Sequence, residues 1–132
     1  VGDGGPATEA NLFPLGLSVG HDGSVYIADE GNCRLRRVRP DGVIDTVAGN
    51  GSDDESGGIG DGGLATDAVV CPLAVVPGSG CELFILEGSG VWREWTGRVR
   101  RVDCSGIIET VAGGGAPPLG NGHGGPATEA AL

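Results

Sequence analysis

A chain of 132 residues and 13.1 kDa suits one domain. Eighteen acidic against eight basic side chains give a net charge of −10 and a pI near 4.3. That balance opposes nucleic acid and anionic membrane surfaces as partners, because phosphate is met mainly by Lys and Arg. The 28 glycines, 4% aromatics and absent methionine make an unusual composition, and no apolar run approaches the roughly 18 residues a membrane helix needs.

GDGGPATEANL, Gly2 to Leu12, opens the chain and returns as GDGGLATDAVV at Gly60 to Val70 and GHGGPATEAAL at Gly122 to Leu132. A phrase restated every sixty residues or so marks a repeat protein, and the glycines fall at fixed repeat positions rather than in a disordered tract. Within the phrase, Gly2 to Gly5 reads as a turn and Ala7 to Ala10 as a single helical turn anchored by Leu12. After Pro14, Leu15 to Val19 reads as a short strand, and His21-Asp22-Gly23-Ser24 carries the Asp-Gly signal of a hairpin. Val25 to Ala28 is the returning strand, and Asp29 to Asn32 a loop. Arg34 to Arg39 alternates charge with Leu35 and Val38, a strand with one face wetter than the other. Pro40-Asp41-Gly42 turns the chain into a fourth strand, Val43 to Ala48, and an acidic, Gly-rich spacer comes next.

The second unit repeats the plan. Pro72 and Phe84-Ile85 match Pro14 and Tyr26-Ile27 at an offset of 58, while Val99 to Val102 and Gly106 to Gly113 match Leu35 to Val38 and Gly42 to Gly49 at an offset of 64. The six-residue difference is an insertion between second and third strands, Val91-Trp92-Arg93-Glu94-Trp95-Thr96. The expected fold is all-β: two four-stranded antiparallel blades of a β-propeller, blade one about 13–49 and blade two about 71–113, with connectors 1–12, 50–70 and 114–132 forming one segment of 1–132. An eight-stranded sandwich is the alternative, but a sandwich has no reason to repeat its connector so faithfully.

The string of GDGGPATEANL, VYIAD at Val25 to Asp29, NCRLRRV at Asn32 to Val38 and GVIDTVAG at Gly42 to Gly49 resembles the NHL repeat, over nearly the whole chain. It departs in blade two, where LFILEGSG and the insertion replace VYIADEGNCR. The resemblance implies a propeller of mostly six blades that binds protein or peptide at one face of the disc, a non-enzymatic interaction scaffold. It also implies an alternative, a fragment of a propeller lyase or lactonase with a metal held by His or acidic residues at the central channel; no His or paired acid recurs on Leu15 to Val19 or Leu73 to Val76. RNA binding by some NHL domains uses basic faces, which the charge here opposes.

Two blades cannot close a ring, since propellers have about 4 to 8. Either three copies associate head to tail into a six-bladed ring, or neighbouring blades belong to a longer chain; the start at Val1 in mid-phrase suggests an excised segment.

Cys81 opens the second strand of blade two and Cys104 ends the third, so the two lie side by side in an antiparallel pair, and both are absent together from blade one. A cross-strand disulfide is expected there, leaving Cys33 and Cys71, at one edge of the disc, for a second bridge between blades. Four cysteines in a small acidic chain suit an oxidising compartment, hence a secreted or otherwise extracytoplasmic protein. Zinc is disfavoured, with no C-x-x-C and two His, and neither metal nor cofactor is expected. GGIGDGGLA at Gly57 to Ala65 fails a calcium-binding nonapeptide in the place of Asp61, and GDGG lacks the Lys-Ser/Thr of a phosphate loop. The phrase therefore reads as a tight turn whose glycines supply positive φ and whose Asp caps the turn after it. The arginines Arg34, Arg36, Arg37 and Arg39, with Arg98, Arg100 and Arg101, read as structural, lying along outer strands and pairing with the acidic excess. His21 and His123 occupy unrelated turns and form no catalytic set. Trp92 and Trp95, with Arg93 and Glu94 between them, sit in the one segment that breaks the repeat and form the candidate binding patch.

Overall fold

The computed structural model describes residues 2–89, 96–114 and 125–130. Eight strands form two four-stranded antiparallel sheets, each in simple up-and-down order. Blade one holds β1 (Gly16–Val19), β2 (Val25–Asp29), β3 (Arg34–Val38) and β4 (Ile44–Ala48). Blade two holds β5 (Pro72–Pro77), β6 (Leu83–Ser89), β7 (Thr96–Val102) and β8 (Ile108–Gly113). Short β-branched runs make the strands, and Asp-centred turns join them. Asp22 accepts from Ser24 N and Asp103 from Ser105 N, and a glycine at φ 80° completes each turn, Gly23 in the first and Gly106 in the second. A bulge follows Leu35 in β3 and, at the equivalent place, Val99 in β7.

The phrase does more than connect. Its first copy lies antiparallel against β4 of the blade it introduces, with Gly4 N donating to Ile44 O at 2.9 Å and Ala7 N to Gly42 O at 2.8 Å. The second copy lies on β8 in the same way, Gly62 N to Ile108 O and Ala65 N to Gly106 O, both 2.8 Å. It also reaches back to blade one, where Gly49 N and Asn50 N donate to Ala65 O and Ala68 O. Glycine is required at Gly60, whose φ is 86° and where a Cβ would stand 2.9 Å from Ala68 Cα. Ala7–Glu9 and Ala127–Glu129 are single 3₁₀ turns, at the same place in two copies of the phrase.

The core lies between the blades. Leu35 and Ala48 on blade one meet Val75, Leu83, Ile85, Val102 and Ile108 on blade two, with Ala65, Ala68 and Val70 of the second phrase closing one side and Tyr26 and Val47 packed at the margin. Gly16 allows the closest approach, with Leu73 O and Ala74 Cα nearest to it across the junction. A disulfide from Cys33 to Cys71 fastens the same junction, and a second, Cys81 to Cys104, ties β6 to the turn after β7.

Candidate functional site

Each blade buries an arginine where its phrase crosses its third strand. In blade one the left-handed glycines Gly2 and Gly4 fold the phrase so that Asp3 points at β3, where it accepts from Arg36 Nη2 at 2.5 Å and from Thr46 Oγ1 at 3.2 Å. Arg36 is wholly buried, and its Nη1 lies 3.6 Å from Asp29, which is buried too. Asp29 does not depend on that arginine. It accepts from Phe13 N at 2.7 Å and from Asn32 Nδ2 at 2.9 Å, bonds that tie the β2–β3 corner to the start of the blade.

Blade two carries the same design with different capping. Arg100, also wholly buried, donates to Asp61 Oδ1 at 2.7 Å, Ile59 O at 3.0 Å and Val69 O at 2.8 Å. Burial works against the charge of Asp61, but Thr110 and the Arg100 guanidinium outweigh it and hold the carboxyl below the usual range. Glu87 occupies the place of Asp29. It lies 3.7 Å from Arg100 Nη1 and 3.8 Å from Arg98 Nε, and its Oε1 is buried without a hydrogen bond. Arg98 in turn holds Glu55 of the acidic spacer through two 2.8 Å bonds from Nη2. Above this group opens a cleft of about 490 Å³, lined by Glu55, Ile59, Asp61, Arg98, Thr110 and Thr128 among others. The cleft wall is polar and its charges are already paired. The group fixes the spacer and the phrase to the blade.

The corner bonds that Asp29 enjoys have no counterpart at Glu87 among the described residues, and the pKa reflects this. Burial pushes Glu87 up to about 7; Arg100 and Arg98 pull it down, while Glu55 and Asp61 add to the rise. The folded chain therefore keeps a proton that the unfolded chain, with an ordinary value of 4.5, gives up. Its contribution to stability is complete below pH 4.5 and is lost as pH rises through about 7. Integrated over that window it is worth about 3 kcal/mol at most. Glu87→Gln should remove this slope and raise the thermal midpoint at pH 8 relative to the parent, with little difference at pH 4.5. Thermal unfolding of both proteins from pH 4.5 to 8 checks it, and parallel curves would refute it.

No protein-family model matches the chain, and no curated protein matches it by sequence. Among solved structures it is similar to the crystal structure of a structural genomics protein of unknown function from Bacteroides thetaiotaomicron VPI-5482, with a TM-score of 0.60 and 21% identity over 84% of this chain and 26% of that one. The two sheets are β-propeller blades, in a ring that these two leave open. The chain spans about a quarter of the length of that protein, and a likeness at this identity carries the fold alone.

The predicted features divide by place. Trp92, Arg93, Glu94 and Trp95 lie outside the described residues, as does His123. All four cysteines are paired, Cys81 with Cys104 and Cys33 with Cys71. Two expectations need correction. The recurring arginines pair with acidic side chains as expected, but Arg36 and Arg100 are fully buried and Arg98 nearly so, because the phrase and spacer fold over them. The phrase aspartates, Asp3 and Asp61, do not cap the following turn, which makes no side-chain cap bond at its start in the first copy; they neutralise those arginines. The acids missed altogether are Asp29 and Glu87, on second strands at an offset of 58. Among the described residues no group of three or more His, Cys, Asp or Glu is placed to hold a metal, and no helix is long and apolar enough to cross a membrane.

Proposed function

We propose that this chain is part of an NHL-type propeller that works as a non-enzymatic scaffold, binding a protein or peptide partner through the segment between β6 and β7. What supports this is the contrast between two equivalent corners. In blade one the β2–β3 pairing ends at Asp29↔Arg34, and a 3₁₀ turn with the Asn32–Asp29 bond seals it. In blade two the pairing runs on through Gly88↔Gly97 to Ser89↔Thr96, and the sequence joining these longest paired strands among the described residues contains both tryptophans. Trp92, Arg93, Glu94 and Trp95 belong to the sequence that joins these two strands, and loops on a scaffold are where contact residues concentrate. The two disulfides fit a site of action outside the cytoplasm.

Because Trp92 and Trp95 are the only tryptophans, their fluorescence reports on this segment alone. Acrylamide should quench most of the emission in the folded chain, with a quenching constant approaching that of the urea-unfolded chain. Indoles shielded to the level of a buried core would mean that the segment folds back on its own sheet, and the reading would fall.

A further inference from the structure

The junction between the blades is a template, because each blade has two apolar faces and the structure covers only one of each. Blade one meets blade two with the face that holds Ala28 and Leu35; its other face presents Leu15, Leu17 and Val19, exposed at 64%, 71% and 61%. Blade two uses the face that holds Val75, Leu83 and Ile85; its other face presents Val76 and Leu86, exposed at 61% and 42%. These are the same positions seen with and without a neighbour. Leu17 is equivalent to Val75, which the junction buries to 4%, and Leu86 is equivalent to Ala28, buried completely. The phrase behaves alike: Ala65, Ala68 and Val70 are buried against blade one, while Ala7, Ala10 and Leu12 of the first copy stay half-buried with no blade beside them.

We propose that a second copy of this chain covers these faces, the Leu17 face of one copy seated on the Val76 face of the next. The internal junction supplies the reason for choosing a second copy. The rotation that carries blade one onto blade two, applied twice, carries a copy's blade one to the far side of blade two. There the bare Leu15, Leu17 and Val19 would meet Val76 and Leu86 in the strand order already used inside the chain. The incoming copy brings its own first phrase, docked on its β4, and that phrase must displace Ala127–Glu129 of the third phrase, which packs against β8. The contact is heterologous, so repeating it closes a ring or grows an open array. It is weaker than the internal junction for two reasons. Phe13 and Gly97 stand where Cys71 and Cys33 form the bridge, so nothing locks it covalently. Ala74 also replaces Gly16, whose position leaves a Cβ only 3.0 Å from the carbonyl across the junction, so the copies sit a few tenths of an ångström further apart.

The test uses the chain itself in sedimentation equilibrium, across concentrations up to several hundred micromolar. The wild type should show a concentration-dependent mass rising to a multiple of 13.1 kDa. Leu17→Glu and Val76→Glu should each reduce this sharply. Both side chains are exposed in the single chain, so circular dichroism should be unchanged; Leu17→Ser and Val76→Ser replace any variant that loses its spectrum. Mixed together, the two variants should form a 1:1 pair of twice the chain mass, since each retains the face that the other lacks. A wild type that stays at the chain mass, as it would if other blades or a different protein cover these faces, overturns the proposal. So does a mixture that fails to pair, or one variant that keeps its full assembly, which would mean that like faces meet.

Discussion

Arg100→Ala should cost about 3–5 kcal/mol of folding stability, a large share of what a domain of this size possesses. The guanidinium is fully buried and donates to Asp61, Ile59 O and Val69 O, with Glu87 close by. Its removal strands two backbone acceptors and leaves Glu87 facing Arg98, at 3.8 Å. Arg36→Ala removes the equivalent side chain but should cost less. Asp29 keeps its bonds from Phe13 N and Asn32, and Asp3, half exposed, can rehydrate. Arg37→Ala, which breaks a pair with the exposed Asp22, should leave the unfolding midpoint nearly unmoved. Urea unfolding of the three variants reads the order directly. If Arg100→Ala and Arg36→Ala lose the same amount, the capping difference between the blades has no energetic meaning.

How much of this was legible in the chain depends on distance along it. Strand pairing within a blade is local, and the alternation of Val25 to Ala28, the Asp-Gly turns and the fixed offsets carried it. The disulfides were accessible for a related reason: Cys81 and Cys104 replace two residues that the blade plan brings side by side, and Cys33 and Cys71 are the two left at one edge. The buried ion pairs were harder. Asp3 and Arg36 are 33 residues apart, Asp61 and Arg100 are 39, and their contact depends on the phrase lying over its own blade. An arginine in a charged run looks solvated until the covering strand is placed, which is why Arg36 and Arg100 read as outer-strand residues. A signal was nonetheless present. Asp3 and Asp61, Asp29 and Glu87, Arg36 and Arg100 recur at the offsets that align the strands, and opposite charges that recur together at three positions are better explained by mutual contact than by solubility. The departure of blade two from the repeat did separate Asp29 from Glu87: LFILEGSG and the insertion replace VYIADEGNCR, and with it Asn32, whose amide holds Asp29 at the corner.

Breaking the Cys33–Cys71 bridge should cost about 4 kcal/mol by the entropy of the loop it closes, whose ends are 38 residues apart. The Cys81–Cys104 bridge, with ends 23 apart, should cost nearly as much on that count. The consequences in the native state differ, and there the test has its force. Cys81 and Cys104 flank the pair Leu83↔Val102, so β6 and β7 remain joined by their ladder when the bridge is cut. Cys33 and Cys71 belong to different blades. Without them the blades are held by the packed core, the two bonds from Gly49 and Asn50 to the second phrase, and the Asn50 side chain on Asp67 O. Cys33→Ser/Cys71→Ser should therefore lose cooperativity as well as stability, with β1 to β4 exchanging their amide hydrogens ahead of β5 to β8. Blade one is the weaker partner because it buries Ala28, Leu35, Ile44 and Ala48, a smaller apolar set than the Val75, Leu83, Ile85, Val102 and Ile108 of blade two. Cys81→Ser/Cys104→Ser should lower the midpoint and keep one transition. Hydrogen exchange followed by mass spectrometry separates the two cases. Uniform loss of protection across both sheets in the first variant would show that the inter-blade core suffices alone, and that the bridge acts only on the unfolded chain.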